Sequence, residues 1–221
     1  MSPLIMNLVV TALRTAAPPR TLLALATRPG SCIGVDLEQG TFVFAHWPER
    51  STTPVATFDV VRVDPAADQD VPDPARPEAL AVVRPPRRVG RLRGRVVDRY
   101  LRPLLLAPGQ HLLGFPALTA PYWTLSGRTP SLCLVAPTAP PAVVRRAQGT
   151  ACRFLWRGLT HELPLADPWL GQHLTSTGRA HLGGAALADQ LGFVPARLIV
   201  ALSAPHDGYC SKVVAGLLPR R

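Results

Sequence analysis

Apolar and polar positions alternate along this chain mostly with the period of strands. Residues 22–26 are a continuous apolar run, long enough for a buried strand. Arg28, Pro29, Gly30 and Ser31 are turn chemistry, after which Ile33, Val35 and Leu37 alternate with Gly34 and Asp36. Glu38, Gln39 and Gly40 make a short hairpin loop, and residues 41–47, rich in β-branched and aromatic side chains, return as the partner strand. The chain therefore opens with a predicted three-stranded meander. Residues 55–63 and 131–136 are further strands. Residues 151–165 read as a hairpin turning at Gly158. Residues 197–218 repeat the first grammar, strand, turn at Pro205–Gly208, strand.

Helical signals are few. Residues 183–192 hold one short Ala/Leu helix, and Asp167, Pro168 and Trp169 read as the start of a loop. In residues 84–102, Arg84, Arg88, Arg91, Arg95, Arg99 and Arg102 recur at intervals of three or four. In a helix they line one side, beside an apolar stripe of Val89, Leu92, Val96 and Tyr100. Pro85 and Pro86 start this predicted helix, Pro103 stops it, and Gly90 and Gly94 weaken it.

Composition sharpens the picture. With 221 residues, 47% of them apolar, the chain has material for a real core, in one large domain or two small ones. The 25 prolines, spread throughout, favour short strands over long helices. The formal charge is +10, and Lys212 is the single lysine among 24 basic residues. That bias fits either a GC-rich coding sequence or an anionic partner. Residues 64–78, with Asp64, Asp68, Asp70, Asp73 and Glu78, form an acidic, Pro-rich surface loop, and the arginine segment that follows reverses the sign. The apolar stretch at residues 4–10 is too short to span a bilayer and has no basic residue ahead of it, so a cytoplasmic protein without membrane association is expected.

Catalytic and metal chemistry find little support. Cys32, Cys133, Cys152 and Cys210 are far apart and form no CxxC pair; each reads as a small apolar filler, with neither zinc nor an obligatory disulfide expected. Ser203, His206 and Asp207 are triad residue types crowded into one turn, where they cannot line up as nucleophile, base and orienter. His161 and Glu162 lack a second histidine at metalloprotease spacing, His173 and His181 have no partners at ligand spacing, and no glycine pair leads into a phosphate loop. No cofactor is expected. Aromatics beside basic residues are the better signal. Trp47, near Arg50, and Tyr209, near Lys212, are candidates for stacking on bases beside phosphate contacts; Phe154 and Trp156, between Arg153 and Arg157, read rather as barrel core.

Six segments taken together, ATRPGSCIGVDLEQG, FDVVRVD, RPPRRVGRL, SLCLV, CRFLWRGLTHELPLADP and LIVALSAPHDGYCSKVVAGLL, resemble in order the dual OB-containing domain family. The resemblance implies two small OB-like β-barrels and a role in binding nucleic acid or a nucleotide-derived ligand. It is strongest at Gly208, Tyr209, Cys210 and Lys212; in the first meander only Arg28 of the family's polar run is matched, and residues 42–45 stand where the family has Arg-Pro. The expectation is a mostly β protein, with a first barrel and basic bridge in residues 20–110 and a second barrel in residues 111–221. The expected function is non-catalytic binding of single-stranded or structured nucleic acid through Arg28, Trp47, Arg88, Arg91, Arg95, Arg99, Tyr209 and Lys212. The alternatives are a small nucleotide-ligand sensor or hydrolase with a site between the barrels, and a protein–protein adaptor with a basic face.

Overall fold

The computed structural model describes residues 17–48, 55–67 and 73–220, and they are mostly β. The N-terminal meander forms as its alternation predicts: β1 (Arg20–Arg28), β2 (Ser31–Asp36) and β3 (Phe42–His46) pair antiparallel in sequence order. β4 (Asp59–Val63) adds to the free edge of β1, and β5 (Ala79–Ala81) runs parallel to β3. An isolated bridge between Pro65 and Val82 joins the ends of β4 and β5. The order β1-β2-β3-β5-β4 thereby returns to β1, and the sheet curls into a ring. Leu22, Ala24, Cys32, Val43, Ala45, Trp47, Val61, Val63, Leu80 and Val82 fill its interior. Alternate residues of the same strands, Leu23, Leu25, Ile33 and Val35, face outward and are also buried.

The predicted helix over residues 84–102 is overturned for its first half. Residues Arg87–Arg91 are a strand, β6, paired with β4 at the sheet edge. Gly94, at φ 56°, then turns the chain into a short helix, α1 (Arg95–Leu101), which a 3-10 turn at Arg102–Leu104 closes around Pro103. Glycines and prolines divide the stretch, and edge pairing satisfies the backbone of residues 87–91 that a helix would have left to its own ladder. The predicted apolar stripe is therefore not one face: Val89 and Val96 are exposed, and the buried helix residues are Val97 and Leu101.

The second half adds β7 (Thr119–Pro121), β8 (Leu132–Val135), β9 (Ala142–Arg146), β10 (Gly149–Trp156) and β11 (Leu159–Pro164). There follow α2 (Pro168–Ser176), β12 (His181–Gly183), α3 (Gly184–Leu191), β13 (Pro195–Leu202) and β14 (Tyr209–Pro219). One sheet has the order β11-β10-β9-β12 and another β7-β14-β13-β8. A parallel bridge between Leu165 and Val214 carries the end of β11 onto β14. The order β9-β10-β11-β14-β13 thus repeats that of the first half, with its parallel contact at the same place, but β13 pairs with β8 instead of closing on β9: a half-barrel. α2, expected as loop, is a helix because Asp167 caps it, accepting from the N–H groups of Trp169 (3.0 Å) and Leu170 (3.2 Å), with Pro168 in the first turn.

The two halves share a core. Along β8 and β13, Cys133, Val135, Leu198, Val200 and Leu202 face the interior of the second half with Phe154 and Trp156. Leu132, Leu134, Ile199 and Ala201, on the other face, pack against the outer side of the first ring and against Val97 and Leu101. A sheet buried on both faces reads as near-continuous apolar sequence, which is the composition of β13. No helix among the described residues is long and apolar enough to cross a membrane.

Candidate anion-binding groove

The helical period decides which arginines of the basic segment converge. With Val97 and Leu101 turned into the shared core, Arg95, Arg99 and Arg102 stay in solvent on α1 and the turn after it. They form one wall of a groove of about 960 Å³. The other wall comes from the second half: the Pro137–Pro140 loop between β8 and β9, Val194 and Ala196 at the start of β13, and Arg220 after β14. The groove holds Arg95, Arg99, Arg102, Arg197 and Arg220 against one acid, Asp98.

That acid is engaged. Arg197 Nη2 donates to Asp98 Oδ1 at 2.5 Å, and Arg197 is only 9% exposed, with its Nη1 buried and lacking an acceptor. A guanidinium removed from water needs such a partner, because an unpaired buried charge costs several kcal/mol. The other four arginines have no carboxylate partner among the described residues. A second groove, of about 980 Å³ beside β3 and β5, mixes Arg20 and Arg76 with Asp73 and Glu78, so its walls do not gather charge of one sign.

The residues singled out from sequence are dispersed. Arg95 and Arg99 meet in the groove. Arg88 and Arg91 lie on β6, their Nε atoms 3.1 and 3.9 Å from the buried carboxylate of Asp59, and Arg91 also donates to the Thr57 carbonyl. Arg28 is half-buried between the halves, donating to the Ala215 carbonyl at 3.2 Å; burial lowers its pKa, against the opposing pull of Asp167. Trp47 is 7% exposed, packed inside the first ring.

Lys212 is buried as well. Its Nζ donates to the Phe115 carbonyl and sits 4.0 Å from the centre of the Phe115 ring. Burial brings its pKa down to about 8, with Cys133 acting in the opposite direction. Tyr209 is exposed and meets the still more exposed Trp123 edge-on, ring centres 5.6 Å apart. This aromatic pair is at the opposite end of β14 from Arg220, so about 30 Å of strand separates it from the groove.

Ser203, His206 and Asp207 do not assemble into a catalytic set. Ser203 Oγ donates to the Ala204 carbonyl and accepts from the Ser211 N–H, while His206 and Asp207 stand in solvent, 3.6 Å apart. All four cysteines are buried, and burial raises the Cys32, Cys133 and Cys152 thiols to about 12.

Sequence reading missed Arg197, Arg220 and Trp123. Arg197 carried a signal: it is the one charge in the otherwise apolar run of β13, and a charge there needs a partner. No protein-family model, curated protein or solved structure matches this chain.

Proposed function

We propose that this protein is a non-catalytic binding module for single-stranded nucleic acid, with phosphates seated among Arg95, Arg99, Arg102 and Arg220. The observation that carries the reading is the concentration in one groove of guanidinium groups that have no carboxylate partner among the described residues, where the one described carboxylate, Asp98, is already engaged by Arg197. Arginine binds phosphate through paired, parallel N–H donors, the strongest hydrogen bonds that a surface offers an oxyanion. The repeated strand order supports the OB-like part of the reading, since partly open five-stranded barrels are an architecture that binds oligonucleotides. A second reading, a small nucleotide-derived ligand, is favoured by the position of the groove, lined from both halves of the chain.

Binding of a labelled oligonucleotide across a salt series tests the proposal, with heparin as competitor. Four phosphate contacts give a log–log salt slope of about −3 for a single strand. Changing Arg95, Arg99 and Arg102 together to Gln is expected to reduce the magnitude of the slope by about 2. Changing Arg88 and Arg91, which already face Asp59, is expected to alter it by less. Equal affinity for heparin and oligonucleotide, with a slope indifferent to the groove substitutions, would refute the reading.

A further inference from the structure

The groove holds more positive charge than the interior of a strand requires. An internal phosphodiester carries one negative charge and exposes two unesterified oxygens, which one or two guanidinium forks satisfy. A terminal phosphate carries about −1.5 to −2 and exposes three such oxygens, and each further phosphate of a chain adds charge at the same place. Arg95, Arg99 and Arg102 are spaced i, i+4 and i+7, so their Cα atoms span only about 10 Å along α1 and the turn that continues it. Arg220 faces them from the second half. Asp98 does not offset these four, because Arg197 engages it, and Arg197 retains an Nη1 without an acceptor.

The groove also lacks what a strand-tracking surface uses. Such surfaces place aromatic platforms along a basic track. Among the described residues no aromatic side chain lines this groove, and the exposed pair Trp123 and Tyr209 is at the far end of β14. Pro137, Pro140, Val194 and Pro195 supply an apolar part of the same groove.

We infer that the groove recognises the 5′-terminal phosphate chain of a nucleotide, at the end of a strand or on a free nucleoside polyphosphate, in preference to internal phosphodiesters. The inference rests on the phosphate-binding reading above and narrows it to a ligand class. Arg99 and Arg102 grip the terminal phosphates, Arg95 and Arg220 flank them, and the apolar part of the groove receives the first nucleoside.

The test uses the full chain and one RNA decamer, labelled at its 3′ end, with a 5′-hydroxyl, 5′-monophosphate or 5′-triphosphate, followed by fluorescence anisotropy. The expected order is triphosphate, then monophosphate, then hydroxyl, with about tenfold or more between the extremes. In the R99Q/R102Q variant, whose altered side chains are exposed, the three ends are expected to bind within about twofold of one another. A free nucleoside triphosphate serves as competitor. Competition at the concentration of the triphosphate-ended strand assigns the site to free nucleotides, and weaker competition assigns it to strand ends; either supports the inference. Equal affinity for all three ends, with binding still salt-dependent, overturns the inference and leaves the nucleic-acid reading standing. Absence of binding to every decamer and to the free nucleotide overturns both.

Discussion

Arg197 on β13 and Asp98 on α1, 99 positions apart in the chain, form an ion pair of 2.5 Å that ties the basic helix to the second half of the molecule. The pair is asymmetric: Arg197 is nearly enclosed, whereas the side chain of Asp98 keeps 29% of its surface exposed. Removing the acid therefore strands a buried cation, and removing both charges does not.

Asp98→Asn is expected to destabilise the fold by about 2–4 kcal/mol, toward the lower part of the range for broken buried pairs because Asp98 is partly solvated. Asp98→Asn combined with Arg197→Met is expected to recover most of that loss. Urea denaturation of the wild type, both single variants and the double variant measures the coupling. Simple additivity of the two single changes would show that the pair contributes nothing.

The halves approach closely at Gly216 on β14. A Cβ there would lie 2.9 Å from the Ala26 Cβ of β1 and 3.3 Å from the Ile199 Cδ1. Its conformation is not restricted to glycine, so the constraint is purely steric. Gly216→Ala is expected to cost about 1–3 kcal/mol through overpacking of the shared core. A shift in the midpoint of chemical denaturation, with an unchanged m-value, is the readout.

Lys212 gives stability a dependence on pH. Its folded pKa, about 8, is below the ordinary 10.5, so between these values the unfolded chain binds more protons and the lysine contribution rises with pH. The buried thiols act in the opposite sense above about pH 9, because their folded pKa values are raised to about 12. Comparison with Lys212→Met cancels the thiols. Relative to that variant, the wild type is expected to gain about 1 kcal/mol between pH 7 and pH 9. A constant difference across this range would show that the lysine stays charged in the fold as readily as in water.

Trp47 and Trp123 are expected to differ sharply in what they contribute to stability. Trp47 fills the first ring at 7% exposure, and Trp47→Ala is expected to cost about 3–5 kcal/mol. Trp123 is 69% exposed, and Trp123→Ala is expected to change stability by less than about 0.5 kcal/mol. Thermal or urea unfolding of the two variants settles the contrast.

Local pattern alone determined most of the elements. The meander of β1, β2 and β3 and the pair β13–β14 follow from runs of apolar and alternating residues bounded by Gly and Pro turns, information confined to a few neighbours. α3 was legible in the same way, and the burial of Phe154 and Trp156 followed from their place in the hairpin. α2 was legible in principle too: Asp167 and Pro168 are a helix cap and first turn, although they equally resemble the beginning of a loop.

Tertiary structure decided the rest. Arginine spacing of three and four suits a helix, but residues 87–91 found an open strand edge on β4, and pairing there overrode the period. Trp47 and Lys212, polar-edged residues at the ends of strands, look the same in sequence whether they face water or a core; the curl of the sheet and the packing of Phe115 enclosed them. The groove itself could not be read from any one stretch. Its arginines come from residues 95–102, 197 and 220, and they meet only because one face of β13 is buried against the first ring. Hydrophobic packing brings those distant positions together, and the charges they carry are repelled or paired afterwards, which is why the elements were local information and the site was not.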